Sequence, residues 1–372
     1  MRDVVEIGAN RTARRGFELA DVSLVPTRRT RDMDEVSTAW QVDAYRFEIP
    51  CVGHPSDATM SPEVAVDLHR HGGLGVLNAE GLWTRYEDPR PLLDELSNLD
   101  EASATQRLQQ LYSEPIKPEL IAERVKEMRD GGATVALRVS PQHTDVLAPS
   151  ILDAGVDMLV IQGTLVSAEH VCANGEPLNL KEFIADLDVP VIVGGCTNYQ
   201  TALHLMRTGA AGVIIGIGAD MFATTDEVLG IKVPMASAIA DAAQARSDYL
   251  DETGGRYVHI IADGDIESSG DIARAIACGA DAVMLGQPLS YNSQAPAGGA
   301  WWHSAASHPK LPRGVYQSKQ HEDEMVPLEQ LLHGPSTYPL GTHNLFGGLR
   351  RSMAKCGYSN LKEFQRVELI LS

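Results

Sequence analysis

The sequence predicts an α/β fold: a closed (β/α)8 TIM barrel with an N-terminal extension and a long flap-like segment after strand 8. Three observations lead there. Short apolar or β-branched runs alternate with helical patterns eight times from residue 49 onward. The runs are apolar throughout, as in parallel strands covered on both faces by helices. The eight units occupy about 250 residues, which suits a closed barrel better than an open sheet.

In order, the strands are expected at 49–53, 75–78, 134–139, 158–162, 189–194, 212–217, 257–262 and 282–286. Helical patterns between them include 62–71, 118–129, 199–208, 235–250 and 271–278. Gly132-Ala133, Gly209-Ala210 and Gly279-Ala280 each precede a strand, where a glycine should close the preceding helix. Residues 1–48 form a lead-in. Segment 289–342 is rich in Pro, Gly, His and Trp and reads as a functional lid or a disordered stretch. A helix over 345–356 closes the chain. No composition break marks a second domain, so residues 1–372 are read as one barrel domain.

Composition narrows the function classes. The net charge of −19 disfavours nucleic acid and anionic membranes as partners. No segment approaches the roughly 18 consecutive apolar residues of a membrane span, and the charged first 15 residues lack a secretory h-region. The five cysteines (51, 172, 196, 278 and 356) form no close pair, which predicts free thiols in a reducing cytoplasm. No metal-binding motif occurs: the two imidazoles of His69-Arg70-His71 fall on different helix faces.

Three loops carry a resemblance. Residues 216–226 read Gly-Ile-Gly-Ala-Asp-Met-Phe-Ala-Thr-Thr-Asp; strand 7 ends in Ala262-Asp263-Gly264-Asp265 and strand 8 in Met284-Leu285-Gly286-Gln287. Together they resemble the IMP dehydrogenase/GMP reductase family. Phe17 to Pro26 resembles that family's lead-in. About 40 residues separate Glu80 from Leu120, leaving no room for its CBS modules, and residues 81–89 and 361–366 resemble its short branch. The resemblance implies NAD(P)-linked chemistry at C2 of a purine, a homo-oligomer (tetramer or octamer), and a monovalent cation held by carbonyls near Gly216 and Gly218.

Residue by residue, the resemblance puts Ala223 where the family has its nucleophilic Cys, which closes the covalent route at that position. Asp263 matches the acceptor of the ribose diol. Gly264, Asp265, Gly286, Gln287 and Met221 fall in the phosphate cradle, and Ser56 lies in the matching loop after strand 1. Asp265 replaces a glycine, while Gln287 and Met221 replace serines. Thr225 matches a threonine that helps to activate water. Gln162 replaces the Asp that contacts the nicotinamide ribose, with Gly163 beside it. The flap's Arg-Tyr base has no match; the segment holds His303, His308, Arg313, Lys319, His321 and Glu322 instead. His321 or Glu322 is either a substitute acid or base or a solvated lid residue. Cys196 is either a substitute nucleophile or a buried structural thiol. His54 is either packed or catalytic.

The substitutions exchange donors for carboxylates. A carboxylate about 4 Å from a phosphate charge costs roughly 4 kcal/mol at an effective dielectric near 20. Asp265 and Asp220 are therefore expected to favour an altered ligand, unphosphorylated or cationic; the alternatives are a site that no longer binds nucleotide and loops rearranged so that the phosphate is still bound. The expected function is that of a diverged IMP dehydrogenase/GMP reductase-like enzyme acting on a purine nucleoside or nucleotide. The alternative is a catalytically inactive binding or regulatory paralogue.

Overall fold

The structure, a computed structural model, describes residues 4–171, 178–217, 222–319 and 324–371. Eight parallel strands close a barrel: β1 (Cys51–Gly53), β2 (Leu74–Asn78), β3 (Ala136–Val139), β4 (Met158–Gln162), β5 (Val191–Cys196), β6 (Gly212–Ile215), β7 (His259–Asp263) and β8 (Ala282–Leu285). Closure comes from β8 on β1, with Val283 opposite Cys51 and Leu285 opposite Gly53. Nearly every strand residue is buried, because the inner face fills the barrel and the outer face packs on helices.

The helical layer comprises α1 (Pro62–Arg70), α2 (Arg90–Ser97), α3 (Glu101–Leu111), α4 (Pro118–Asp130), α5 (Thr144–Asp153), α6 (Leu180–Ala185), α7 (Tyr199–Arg207), α8 (Thr225–Leu229), α9 (Met235–Thr253) and α10 (Ser269–Cys278). Local chemistry fixes their starts. Ser61 caps α1 by accepting from the Val64 amide, with Pro62 in the first turn. Ser268 and Asp271 form a capping box on α10. Gly132, Gly209 and Gly279 all have positive φ just after a helix, as their sequence positions suggested.

Several details depart from the sequence reading. The first strand starts at Cys51, whereas β5 and β7 run on to Cys196 and Asp263. Helices α2 and α3 fill the stretch after β2. The chain does not end on α12 (Leu345–Lys355): α13 (Leu361–Phe364) follows, and Leu369–Leu371 pairs antiparallel with Val22–Leu24 of the lead-in. A hairpin of Trp40–Val42 and Tyr45–Phe47 lies at the N-terminal end of the barrel, where Trp40 meets the His259 ring at 6.1 Å.

The flap segment is partly folded. Trp301–Trp302 pairs with Tyr316–Gln317, and α11 (Leu328–His333) lies within it. Trp302 is fully buried and stacks on Tyr316 at 6.0 Å. Two large aromatic side chains removed from water supply the anchoring that composition alone did not reveal. No helix among the described residues is long and apolar enough to cross a membrane.

The closeness of barrel and helices gives a direct test. A Cβ at Gly75 would stand 2.6 Å from the Ala65 Cα in α1. Gly75→Ala should lower stability by about 1–3 kcal/mol, measured as a reduced urea midpoint by tryptophan fluorescence.

Candidate active site

The C-terminal ends of the strands open into a cleft of about 660 Å³, a volume suited to a small-molecule ligand. Its walls come from the ends of β2 to β4, the loop after β6, the end of β7 and the flap.

One wall is built on Glu80, just past β2. This carboxylate is buried with Arg138 of β3, whose Nη1 donates to Glu80 Oε2 at 2.9 Å. Ser140 donates its hydroxyl to Oε1 at 2.9 Å, and His143 Nδ1 closes on the same oxygen. Burial alone would raise the Glu80 pKa, but Arg138, His143 and the Ser140 amide outweigh it and pull the carboxyl down to about 2. The bond to Glu80 raises the His143 pKa. Arg138 also donates from Nε and Nη2 to the Gln162 carbonyl, at 3.1 and 2.7 Å, which ties β3 to the end of β4.

The floor is polar. Gln162 Nε2 donates to Asp263 Oδ2 at 2.9 Å across the barrel. Since the carboxylate must receive the NH2 end, the amide orientation is fixed. Gln162 Oε1 is then buried with no partner among the described residues. Ala223 and Thr225 line the cleft nearby.

The corner over β7 and β8 differs. Only about 30 Å³ remains there, room for a water molecule or two. Phe222 and Trp301 line it, and the indole packs so closely on Gly286 that a Cβ there would lie 2.5 Å from a ring carbon. Asp265 sits in the left-handed region with φ of 57°, a conformation aspartate tolerates better than most residues. Burial, with Glu18 and Asp271 nearby, raises its carboxyl pKa to about 6, against the opposing Lys232.

Below the flap, Asp57 is buried and accepts from Tyr112 and from the Leu82 amide. Burial lifts its pKa to about 6 despite those bonds. The Tyr112 hydroxyl receives the Trp302 indole N–H at 3.2 Å, so the Asp57–Tyr112 pair moors the flap. His54 is buried between Trp301 and His303, with neither ring nitrogen partnered among the described residues. Burial, His303 and Arg138 hold its pKa well below the usual value.

The structure thus places Asp263, Gln162, Gly163, Ala223 and Thr225 around the cleft, and Gly264, Asp265, Gly286 and Gln287 around the filled corner. The buried Ser56 donates its hydroxyl to the Trp302 carbonyl at 2.7 Å. Cys196 is also buried, with its thiol pKa pushed up to about 12 by burial. Met221, His321 and Glu322 lie outside the described residues, as do Gly218 and Asp220. Sequence reasoning missed Glu80, Arg138, His143, Asp57 and Tyr112. Its one available signal was a charged residue, Arg138, inside an apolar strand. Among the described residues no group of three metal-ligating side chains comes together.

A closed (β/α)8 barrel with a polar cleft at its strand ends is the architecture of barrel enzymes. Residues 16–324 match the IMP dehydrogenase / GMP reductase domain, and the chain belongs to that family. An uncharacterized oxidoreductase of Mycobacterium leprae is 58% identical over 375 residues, covering 99% of this chain and 100% of that protein. An inosine-5'-monophosphate dehydrogenase of Methanocaldococcus jannaschii is 33% identical over 258 residues, 64% of this chain and 50% of the relative. The crystal structure of an IMP dehydrogenase/GMP reductase-like protein from Corynebacterium glutamicum superposes with a TM-score of 0.94 at 53% identity, covering 100% of this chain and 98% of that one.

Glu80→Gln leaves Arg138 buried without its counter-charge, which should cost about 3–5 kcal/mol. The stabilisation from Glu80 is complete above its unfolded pKa, near 4.5, and is lost as pH falls toward 2. The variant should therefore show a flatter acid limb in its stability profile. Its His143 pKa, followed by NMR, should drop toward the ordinary histidine value.

Proposed function

We propose that the chain is a nicotinamide-linked oxidoreductase acting on a purine nucleoside or nucleotide, without attaching the purine to a cysteine. The observation that carries this reading is the Gln162 amide. Its NH2 is committed to Asp263, and its oxygen is left buried at the cleft floor without a partner among the described residues. Leaving a buried acceptor unpaired costs about 1–3 kcal/mol. A ligand carrying a carboxamide N–H or a ribose hydroxyl removes that penalty.

NAD or NADP offers both kinds of donor. Gln162 and Gly163 would hold the nicotinamide end, and the group would supply hydride exchange when bound. Asp263 would accept hydroxyls of the substrate ribose. Thr225 would orient a water or a polar edge of the purine beside Ala223.

The cysteines support the non-covalent part of the reading. Among the described residues no cysteine lines the cleft. Burial raises the thiol pKa of Cys51, Cys196, Cys278 and Cys356, so each stays protonated and a poor nucleophile near neutral pH. The filled corner favours an unphosphorylated ribose over a 5′-monophosphate, since Asp265 and Trp301 stand there. A homo-oligomer, tetramer or octamer, completes the reading; a stable monomer by light scattering would contradict it.

Calorimetric titration of NAD, NADP, inosine, guanosine, IMP and GMP tests the function. Dinucleotide binding together with tighter nucleoside than nucleotide binding is expected, with no purine adduct by intact-protein mass spectrometry. Gln162→Leu should weaken the dinucleotide about tenfold or more. Undiminished dinucleotide binding by that variant would remove the main support, and binding of none of these ligands would favour a catalytically inactive paralogue.

A further inference from the structure

Two guanidiniums in the cleft make their hydrogen bonds to neutral groups, with Asp57 and Glu80 acting on Arg85 only at longer range. Arg85 follows β2, Arg313 belongs to the flap, and both line the 660 Å³ space. Among the described residues Arg85 donates to backbone, from Nε to the Glu80 carbonyl at 3.2 Å and from Nη1 to the Glu114 carbonyl. Arg313 donates from Nε and Nη2 to the Thr164 hydroxyl, at 3.3 and 3.0 Å, and from Nη1 to the Leu311 carbonyl at 3.1 Å. Neither forms an ion pair with a carboxylate among the described residues. Burial lowers both pKa values, a sign that each charge has been partly stripped of water.

The other charged groups of the cleft already have hydrogen-bond partners. Arg138 is paired with Glu80, and Asp263 accepts from Gln162. Three guanidiniums therefore face two carboxylates among the lining residues, in a chain whose net charge is −19. A guanidinium that has lost part of its water is costly unless other polar groups replace that water, and an anion does so best. The β7–β8 corner cannot take that anion, having little space and the Asp265 carboxylate at its edge.

We propose that Arg85 and Arg313 form a phosphate-binding pair on the β2–β4 side of the mouth, opposite the filled corner. The pair consists of two separate guanidiniums, one on a barrel loop and one on the flap. A carboxylate satisfies one guanidinium through two parallel bonds, whereas a phosphate presents oxygens in several directions and can serve both. Occupancy would also draw the flap onto the barrel loop. The inference rests on the cleft being the ligand site. The phosphate is either the diphosphate of a dinucleotide or the 5′-phosphate of a nucleotide lying with its charged end on this side.

The first probe is inorganic pyrophosphate, titrated calorimetrically into the full chain at low and moderate salt. The intact protein should bind it, and Arg313→Gln and Arg85→Gln together should weaken binding by roughly 10- to 100-fold. The exposed Arg207→Gln should change nothing. Thermal unfolding checks that the variants are folded; if Arg85→Gln is not, Arg313→Gln alone should still give a loss of about tenfold. Absence of pyrophosphate binding at millimolar concentration, or equal binding by the double variant, overturns the proposal.

NADP, IMP and inosine distinguish the sources. A loss confined to the dinucleotide assigns the phosphate to it; a loss confined to IMP assigns it to the nucleotide; inosine should be unaffected. Arginine-dependent pyrophosphate binding without binding of any purine or dinucleotide upholds this inference while refuting the oxidoreductase reading.

Discussion

The mouth of this barrel is organised around a buried ion pair. Glu80 and Arg138 leave water together, and neither would be tolerated there alone. Both make further bonds: the carboxylate takes the Ser140 hydroxyl and His143, and the guanidinium donates to the carbonyl that ends β4. The pair thus fixes the relative positions of three strand ends. Gln162 inherits its place from that bond, and its amide sets the cleft floor against Asp263. An apolar pair of similar size could fill the same volume but would not define where the β4 carbonyl and the β3 loop must stop.

The two sides of the mouth differ in space and in charge. Over β7 and β8, aromatic side chains and a carboxylate occupy the space where the family resemblance places a phosphate. Over β2 to β4, the space stays open and its charge is positive. The flap takes part in both, closing one corner with Trp301 and lending Arg313 to the other. Its attachment is strong because Trp302 is wholly buried and bonded through Tyr112 to Asp57, while the Val315 amide donates to the Phe222 carbonyl at 2.7 Å.

The barrel was legible because its signal is repeated eight times and each strand is apolar on both faces. Strand ends were less so: Asp263 completes β7 even though polarity suggests a stop at Ala262. The loops at β6, β7 and β8 were readable from their glycines. The Glu80 network was not, since Glu80 follows β2 while Arg138, Ser140 and His143 come from β3 and the turn after it, and only the pairing of β2 with β3 brings them together. Arg138 was visible as a charge in an apolar run, but nothing local named its partner. The flap's tryptophans looked like lid composition, whereas burial makes them anchors.

Asp265 holds a left-handed backbone that glycine adopts freely. An exchange between the two residues therefore leaves the chain path unchanged and alters only charge and bulk at the end of β7. Charge at the mouth and the course of the backbone are thus separable at this position, because one codon changes the first and keeps the second.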